Sequence, residues 1–328
     1  MKFSLGYQCT NAPFIDEIIR EKEKIAEVYF SWADYPNGRN SQLRQKGLTS
    51  EQAQAKQEQD LARLAEGGVA LNLLFNAMCY GKDSQSRAFF QGIGNTIDSL
   101  SHTYGLASVT TTSPLIARFI KDNFPNLEVR ASVNMSIGTV EGMDYAKDLF
   151  DSFYLKRELN RDFAAIRALK EWCDAEGKKL YGLANSGCLN HCSAHVFHDN
   201  LVAHEQEIAQ MDNGYAFEGL CRLHLKQRPK SILERSSFIR PEEIPLYEGL
   251  FEAVKLATRV SPMPLRILRA YTEGNYKGSV TDLLEPNHSG LFYPYLLENS
   301  LLESRVEQDK LVYENFEEAM IKLEDERC

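Results

Sequence analysis

The chain has 328 residues and a formal net charge of −9. Hydrophobic residues make up 43% of it, which is enough to fill one large core. The acidic balance argues against a protein that follows a phosphate backbone, so nucleic acid is not an expected partner. We find no apolar run of secretory length near the first residue, and no stretch of about 18 apolar residues anywhere. The sequence therefore predicts a cytoplasmic protein that does not enter a membrane.

Eight short runs rich in β-branched and aromatic residues predict eight strands, at 2–7, 25–30, 69–76, 106–111, 128–133, 152–155, 179–184 and 253–256. Amphipathic or well-capped stretches follow most of these runs and predict helices over 14–23, 49–66, 114–123, 140–149 and 265–271, with another opening at Asn160 or Asp162. Strands that alternate with helices eight times favour a single TIM-like (β/α)8 barrel over an open sheet. We place this barrel in residues 1–285.

Two segments do not follow the alternation. A long irregular insertion, which carries several cysteines, separates the seventh and eighth predicted strands. Residues 286–328 come after the last predicted helix and include the charged stretch "ENFEEAMIKLEDERC". We expect that stretch to be a short helix, and the whole segment to be a helical appendage packed on the barrel.

Cysteines cluster at one end of the predicted barrel, where the carboxyl ends of the strands carry function in this fold. Cys79 follows the third strand, and Cys188 and Cys192 follow the seventh. Cys221 lies in the insertion, and Cys9 follows the first strand. A reducing cytoplasm keeps such cysteines as thiols, so we expect metal ligands or reactive groups here and not disulfides.

The stretch "GCLNHCSAHVFH", residues 187–198, is the most specific signal in the chain. Its C-x3-C pair can direct two thiolates at one metal or cluster, and soft thiolates select iron–sulfur clusters or zinc. A 4Fe-4S cluster normally takes four thiolates. We predict that it is held by Cys79, Cys188, Cys192 and Cys221, with Cys9 as the alternative fourth ligand.

Two other interpretations of the same stretch remain open. Zinc could be held by a set of two thiols and two imidazoles, namely Cys188, Cys192, His195 and His198, although the spacing is compressed for such a site. The stretch could also be a loop that is rich in sulfur and imidazole and binds no metal.

Three further residues are candidates for handling a substrate. Glu158 follows the sixth strand, where a carboxylate can act as a base, although a helix-start carboxylate is the structural alternative. Arg130 lies within the fifth strand, where it needs either an ion-pair partner or an anionic substrate. His195 can donate a hydrogen bond to a cluster sulfur or to a substrate.

The stretch "RELNRDFAAIRALKEW", followed by "KLYGLANSGCLNHCSAHVFH", resembles the core of the peptidase U-32 family. The later stretch "SSFIRPEEIPLYEGLFEAVKLATRVSP" resembles a downstream block of that family. The resemblance implies a TIM-like barrel. It also implies a 4Fe-4S cluster on four cysteines, because several members carry one and take part in oxygen-independent hydroxylation of RNA bases or of the ubiquinone ring. Cys188, Cys192 and Cys221 match the cysteine-bearing loop.

The chain also departs from the family. It lacks the longer cysteine-rich stretch and the C-terminal extension of the members that act on RNA or peptides, so their substrates do not transfer. We therefore predict an iron–sulfur oxidoreductase or hydroxylation-type enzyme that acts on a small molecule and uses an electron donor. The alternatives are a peptidase with a structural metal and a non-catalytic partner subunit of a related barrel protein.

Overall fold

A closed barrel of eight parallel strands forms the body of the protein. The structure, a computed structural model, describes residues 1–32, 35–38 and 47–323. The barrel strands are β1 (Phe3–Gly6), β2 (Ile25–Phe30), β3 (Leu71–Phe75), β4 (Ser108–Thr111), β5 (Glu128–Ala131), β6 (Ser152–Tyr154), β7 (Lys179–Leu183) and β8 (Val254–Leu256). All eight predicted strands are confirmed, each within two residues at either end.

The register of the strands shows how the barrel closes. Each strand pairs with the next along the chain, and β1 pairs on its other side with β8 through Phe3 and Val254. All strands run the same way, so their carboxyl ends open together at one mouth. The loops that follow β3, β6 and β7 are therefore neighbours around this mouth, as the TIM-like prediction requires.

Helices surround the barrel and fill most of the connections. They are α1 (Ala12–Arg20), α2 (Ser50–Glu66), α3 (Arg87–Tyr104), α4 (Pro114–Asn123), α5 (Val140–Asp144), α6 (Phe163–Ala175), α7 (His195–Ala203), α8 (Glu205–Ile208), α9 (Leu220–Gln227), α10 (Ser231–Glu234), α11 (Pro264–Glu273), α12 (Ser289–Phe292) and α13 (Phe316–Ala319). The predicted capping box of α2 is present at Thr49 and Gln52. Within the described ranges, no helix combines the length and the apolar character that crossing a membrane would need.

The sequence prediction missed α3, although this helix has 18 residues. Gly92 and Gly94 lower its intrinsic helix propensity and blur its pattern. Both glycines have a packing reason, because a Cβ on Gly92 would press on the Tyr35 hydroxyl and one on Gly94 would press on the Phe119 ring. The buried residues of the helix still have helical spacing, at Ile93, Ile97 and Leu100.

The C-terminal segment is not the helical appendage that we predicted. It contains β9 (Tyr295–Leu297), β10 (Glu303–Glu307), β11 (Lys310–Glu314) and β12 (Met320–Lys322). β10 and β11 form a hairpin, and β12 pairs with β9. In the described part of this segment, the helical pieces are α12, the single turn of α13 and a 3-10 turn over Asn299–Leu301. The long-range pairing of β12 with β9 overrides the helix propensity of "EEAMIK". Residues 324–328 of the expected helix lie outside the described residues.

An ion-pair network fills the N-terminal half of the barrel interior and corrects our expectation for Arg130. The guanidinium of Arg130 is buried, pairs with Glu27 and lies 2.7 Å from Glu128 Oε1. It also stacks on the Tyr181 ring, with 3.8 Å between Cζ and the ring centroid. Asn72 completes the site by donating to Glu27. Arg130 therefore holds the interior together at the end opposite the mouth, and its carboxylate partners occupy the place that we expected a substrate to take.

The Glu128 carboxylate predicts how stability changes with pH. Burial alone would raise its pKa, but the charge of Arg130 and hydrogen bonds from Lys179 and Ser152 prevail and lower the pKa to about 2. A pKa lowered in the folded state adds stability above the unfolded pKa of about 4.3, and this stability is lost as the pH falls through the folded value. We expect E128Q to reduce the free energy of unfolding by about 2–3 kcal/mol at pH 7, and progressively less below about pH 4.

Urea unfolding of E128Q at several pH values between neutral and acid measures this difference. E307Q is the matched control, because Glu307 is exposed and its ion pair with Arg305 lies on the protein surface. A loss for E128Q that stays constant as the pH falls would contradict the role of the carboxylate charge.

Candidate functional site

A narrow cavity of about 40 Å³ lies at the mouth of the barrel. Strands and mouth loops from all around the barrel line it, with residues Tyr29, Gly38, Asn76, Val133, Asn134, Arg157, Leu183, Ser186, Lys255, Ala257, Arg259 and Glu285. Three of these side chains are cationic and one is a carboxylate. The cavity is therefore small, polar and rich in positive charge, at the end of the barrel where function is expected.

Lys255 and Arg259 bring two of the positive charges to the cavity. Both are buried, with 7% of each residue exposed. The Lys255 Nζ lies 4.0 Å from the centroid of the Tyr29 ring, and the Arg259 Cζ lies 5.7 Å from the same centroid. The Tyr29 hydroxyl donates to the carbonyl of Leu256 at 2.8 Å, which fixes the ring between them. Burial strengthens the field of these cations, because little water screens them.

Arg157 connects the cavity to the cysteine loop. It begins the 3-10 turn after β6, and only 7% of it is exposed. Its Nη2 donates to Asn134 Oδ1 at 2.9 Å, and its Nη1 lies 3.6 Å from the Cys188 sulfur. The carboxylate of Asp199 stands 3.7 Å from the same guanidinium. One side chain therefore contacts a polar group of the cavity and a candidate metal ligand.

The cysteine loop after β7 is held firmly by backbone contacts. The Gly187 N–H donates to the Glu285 carbonyl at 2.9 Å, and the Asn190 N–H donates to the Arg235 carbonyl at 2.6 Å. His191 has φ +58°, in the left-handed region that a histidine adopts at a tight turn. This turn lies between Cys188 and Cys192 and reverses the chain, so that the two thiols can face a common neighbour.

That common neighbour is Cys221, the second residue of α9. Burial raises the pKa of the Cys221 thiol, and the charges of Cys188 and Cys192 raise it further. The three thiols are therefore close enough to interact. Within the described residues, however, no three cysteine, histidine or acidic side chains form a closed set arranged to hold a metal ion. The structure brings the three predicted thiols together as neighbours without closing them into a ligand shell.

The other two predicted cysteines lie elsewhere. Cys79 is beside His204, which directly follows α7, whereas Cys192 is at the start of that helix. Cys192 precedes α7 and His204 follows it, and at 1.5 Å per residue this helix is about 13 Å long. The alternative ligand Cys9 is buried near Ala53 of α2, with its sulfur 3.9 Å from that carbonyl oxygen. Neither joins the three neighbouring thiols in this structure.

The zinc alternative also lacks its histidines. His195 Nε2 lies 3.0 Å from Asp199 Oδ2, so His195 joins the network of Arg157. The His198 ring packs against Phe217, with 5.4 Å between centroids, on an outer groove of the insertion. The imidazoles that the sequence placed beside the thiols therefore have other neighbours.

Sequence reasoning named the neighbour of one lining residue and missed several other residues of the cavity. Arg157 lines the cavity, whereas the adjacent Glu158, our candidate base, is not among its lining residues. Lys255, Arg259 and Glu285 were not predicted. Lys255 was the signal that could have been noticed, because a lysine in the middle of a buried strand needs a reason to be there.

Comparisons with known proteins agree with the barrel and its type. No model of a known protein family matches this sequence. The curated protein named "Uncharacterized protease MJ1657" from Methanocaldococcus jannaschii is 29% identical over 248 residues, which cover 73% of this chain and 70% of that protein. The solved structure of the U32 peptidase Mk0906 matches with a TM-score of 0.55 and 15% identity, covering 78% of this chain and 92% of that one.

More distant structural matches share the barrel only in outline. The match to a glycoside hydrolase family 5 mannosidase of Rhizomucor miehei covers 78% of this chain and 80% of that chain, with 10% identity and a TM-score of 0.40. A likeness of that size has no bearing on function. The match to a curated protease, together with the fold of a U32 peptidase, confirms the resemblance that the sequence predicts.

Gly187 tests how tightly the cysteine loop is held. A Cβ at this position would overlap the Pro286 carbonyl oxygen, which is backbone and cannot move aside cheaply. We expect G187A to lower the free energy of unfolding by about 1–3 kcal/mol, as overpacking does in a tight site. Urea unfolding measures the change. G290A is the control, because nothing lies near a Cβ there, and a similar loss in both variants would contradict the account.

Proposed function

We propose that this chain, a member of the peptidase U-32 family, is an enzyme that binds a small anionic substrate at the barrel mouth and carries an iron–sulfur cluster on Cys188, Cys192 and Cys221. One observation carries the proposal. The guanidinium of Arg157 lies 3.6 Å from the Cys188 sulfur and 2.9 Å from Asn134 in the cavity wall. Arg157 therefore belongs both to the proposed cluster site and to the proposed substrate site.

The donor set fits such a cluster by its chemistry. Thiolates are the ligands that iron–sulfur clusters take, and three of them are neighbours here. Thiolates that lie side by side repel each other, and a metal cation bound among them offsets this repulsion. When bound, a 4Fe-4S cluster supplies one-electron transfer, and a set of three thiolates leaves one iron with an open ligand position. Loop 188–194 would have to close further to complete the site.

Arg157 does two things in this arrangement. Its Nη1 can donate a hydrogen bond to the Cys188 sulfur, and such hydrogen bonds help to set the potential of a cluster. Its second nitrogen orients the amide of Asn134 at the cavity wall. The Asp199 carboxylate lies 3.7 Å from the guanidinium, and His195 Nε2 lies 3.0 Å from Asp199 Oδ2. His195 therefore adjoins the site through Asp199 and is not among the residues that line the cavity.

Charge selects the class of substrate. Arg157, Lys255 and Arg259 are cationic, and Glu285 and Asp199 are the carboxylates near them. The excess of positive charge in a buried, poorly screened cavity attracts a carboxylate or phosphate group. Asn76 and Asn134 add amides at the same mouth, and an amide can orient a bound polar group.

A peptidase is the second candidate, and the name of the M. jannaschii relative favours it. In that case the thiols of the loop would hold a structural metal. A non-catalytic role as a partner of a related barrel protein and the use of an electron donor both stay predictions from the sequence.

Anaerobic purification followed by iron, sulfide and zinc analysis tests the proposal. We expect about four irons and four sulfides per chain, with a broad absorption band near 400 nm. C188A, C192A and C221A should each lose most of the iron. C79A is the matched control, because Cys79 is also partly exposed but lies beside His204, at the end of α7 that is remote from Cys192. It should keep its iron.

Two results would contradict the proposal. Zinc without sulfide would leave a structural metal site and favour the peptidase. Iron that survives in C188A, C192A and C221A alike would show that these thiols are not the ligands.

A further inference from the structure

The cavity at the barrel mouth contains a carboxylate among its cations, and this carboxylate belongs to Glu285. Only 6% of Glu285 is exposed, and it lines the cavity together with Arg157, Lys255 and Arg259. A carboxylate at this place weakens the attraction for a simple anion, because like charges repel strongly where little water screens them. Its presence therefore points to a ligand that carries more than a negative charge.

Backbone contacts on both sides fix Glu285 at the mouth. Its N–H donates to the Asn185 carbonyl at 2.9 Å, and its carbonyl accepts from the Gly187 N–H at 2.9 Å. The Asn185 side chain donates to the carbonyls of Ala257 and Leu283, at 2.9 Å each. The segment that carries Glu285 is thus joined to the ends of β7 and β8, and a side chain on such a rigid support can select a ligand.

One wall of the cavity is suited to a carboxylate, because Gly38 has no side chain there. A Cβ at Gly38 would lie 2.9 Å from Asn134 Nδ2 and 3.1 Å from Asn76 Nδ2. The missing side chain leaves space beside two amide nitrogens, which are hydrogen-bond donors. Arg157 donates to Asn134 Oδ1 and lines the same cavity, so a charged donor adjoins the two amides.

A second glycine gives Arg259 its place at the mouth. A Cβ at Gly6 would lie 2.5 Å from Arg259 Cγ and 2.9 Å from the Tyr29 ring, so a larger residue would displace the arginine. Arg259 Nη1 donates to Asn37 Oδ1 at 3.3 Å. Burial raises the pKa of Tyr29, while Arg259 opposes this rise and Glu285 adds to it. The cation and the carboxylate therefore both act on the same hydroxyl.

We propose that the cavity recognises a carboxylic acid with a hydrogen-bond donor, a hydroxyl or an ammonium, on the carbon beside the carboxylate, and that Glu285 accepts the bond from this donor. The cavity has about 40 Å³, and a single water needs at least about 10–15 Å³, so about three polar atoms fit side by side. Two are the carboxylate oxygens, held by the cations and amides, and the third is the donor. An ionised carboxylate such as Glu285 has only acceptors to offer it. This inference rests on the proposed function, because it names the class of anionic substrate.

Isothermal titration of the full-length, anaerobically reconstituted chain with propanoate, lactate and alanine tests the preference. The three acids share one carbon skeleton and differ only in the hydrogen, hydroxyl or ammonium on the carbon beside the carboxylate. We expect lactate or alanine to bind about tenfold more tightly than propanoate, as a hydrogen bond to a charged group provides. The tighter of the two distinguishes a hydroxy acid from an amino acid.

Variants of Glu285 separate recognition from structural support. E285Q should remove most of the difference between the acids and should bind propanoate more tightly, because the repelling charge is gone and the size is kept. E285D should keep part of the preference. E234Q is the control, because Glu234 pairs with Lys230 on the protein surface, and it should bind like the unaltered chain.

Equal affinity of the unaltered chain for all three acids would overturn this inference and leave the proposed anionic substrate in place. Binding of none of them at millimolar concentration would overturn both. An unchanged preference in E285Q would show that another group accepts the donor. A uniform loss of affinity for the three acids in E285Q would show that Glu285 only supports the structure, and either result would overturn its proposed role.

Discussion

The contacts of one guanidinium determine how the proposed site is built. Arg157 is almost wholly buried where the chain leaves β6, and a buried charge of this kind persists only with partners around it. Its partners are Asn134 from the turn after β5, Asp199 from α7 and the thiol of Cys188. Three separate loops of the mouth are thus fixed to one another. Without this residue, the cysteine loop and the cavity would be independent features that happen to share an end of the barrel.

The barrel interior is divided into two charged regions with different tasks. At the N-terminal end, Arg130 is matched by Glu27 and Glu128, and the network closes on itself. At the mouth, Lys255 and Arg259 belong to a cavity with an excess of positive charge. The first region uses its charges for structure, since every strong group has a partner of opposite sign. The second lines the cavity that we propose as the substrate site.

Much of the fold could be predicted from the sequence because local patterns decide it. The eight strands are short and rich in aliphatic and aromatic residues, and caps such as Thr49 mark where helices begin. The helix α3 was missed because its glycines serve packing against Tyr35 and Phe119, which are distant in sequence. The strand β12 was missed for the same reason, since it pairs with the distant β9. The strands β10 and β11 form a local hairpin that the sequence analysis did not recognise.

The candidate site was predictable only in part. The C-x3-C spacing and the position of Cys221 indicated three thiols that the fold does bring together. The expected fourth thiol, Cys79, was assigned from its place after a strand, but the insertion puts α7 between it and Cys192. No sequence pattern shows the path of that insertion.

The Mössbauer spectrum of the full-length chain, reconstituted anaerobically with iron and sulfide, tests most directly the claim that three cysteines hold a cluster. A cluster with three thiolate ligands has one iron whose surroundings differ from those of the other three. We therefore expect a distinct component of about one quarter of the iron, which shifts when a small carboxylic acid is added. A spectrum in which all irons have thiolate ligands and no component responds to the acid would contradict the account.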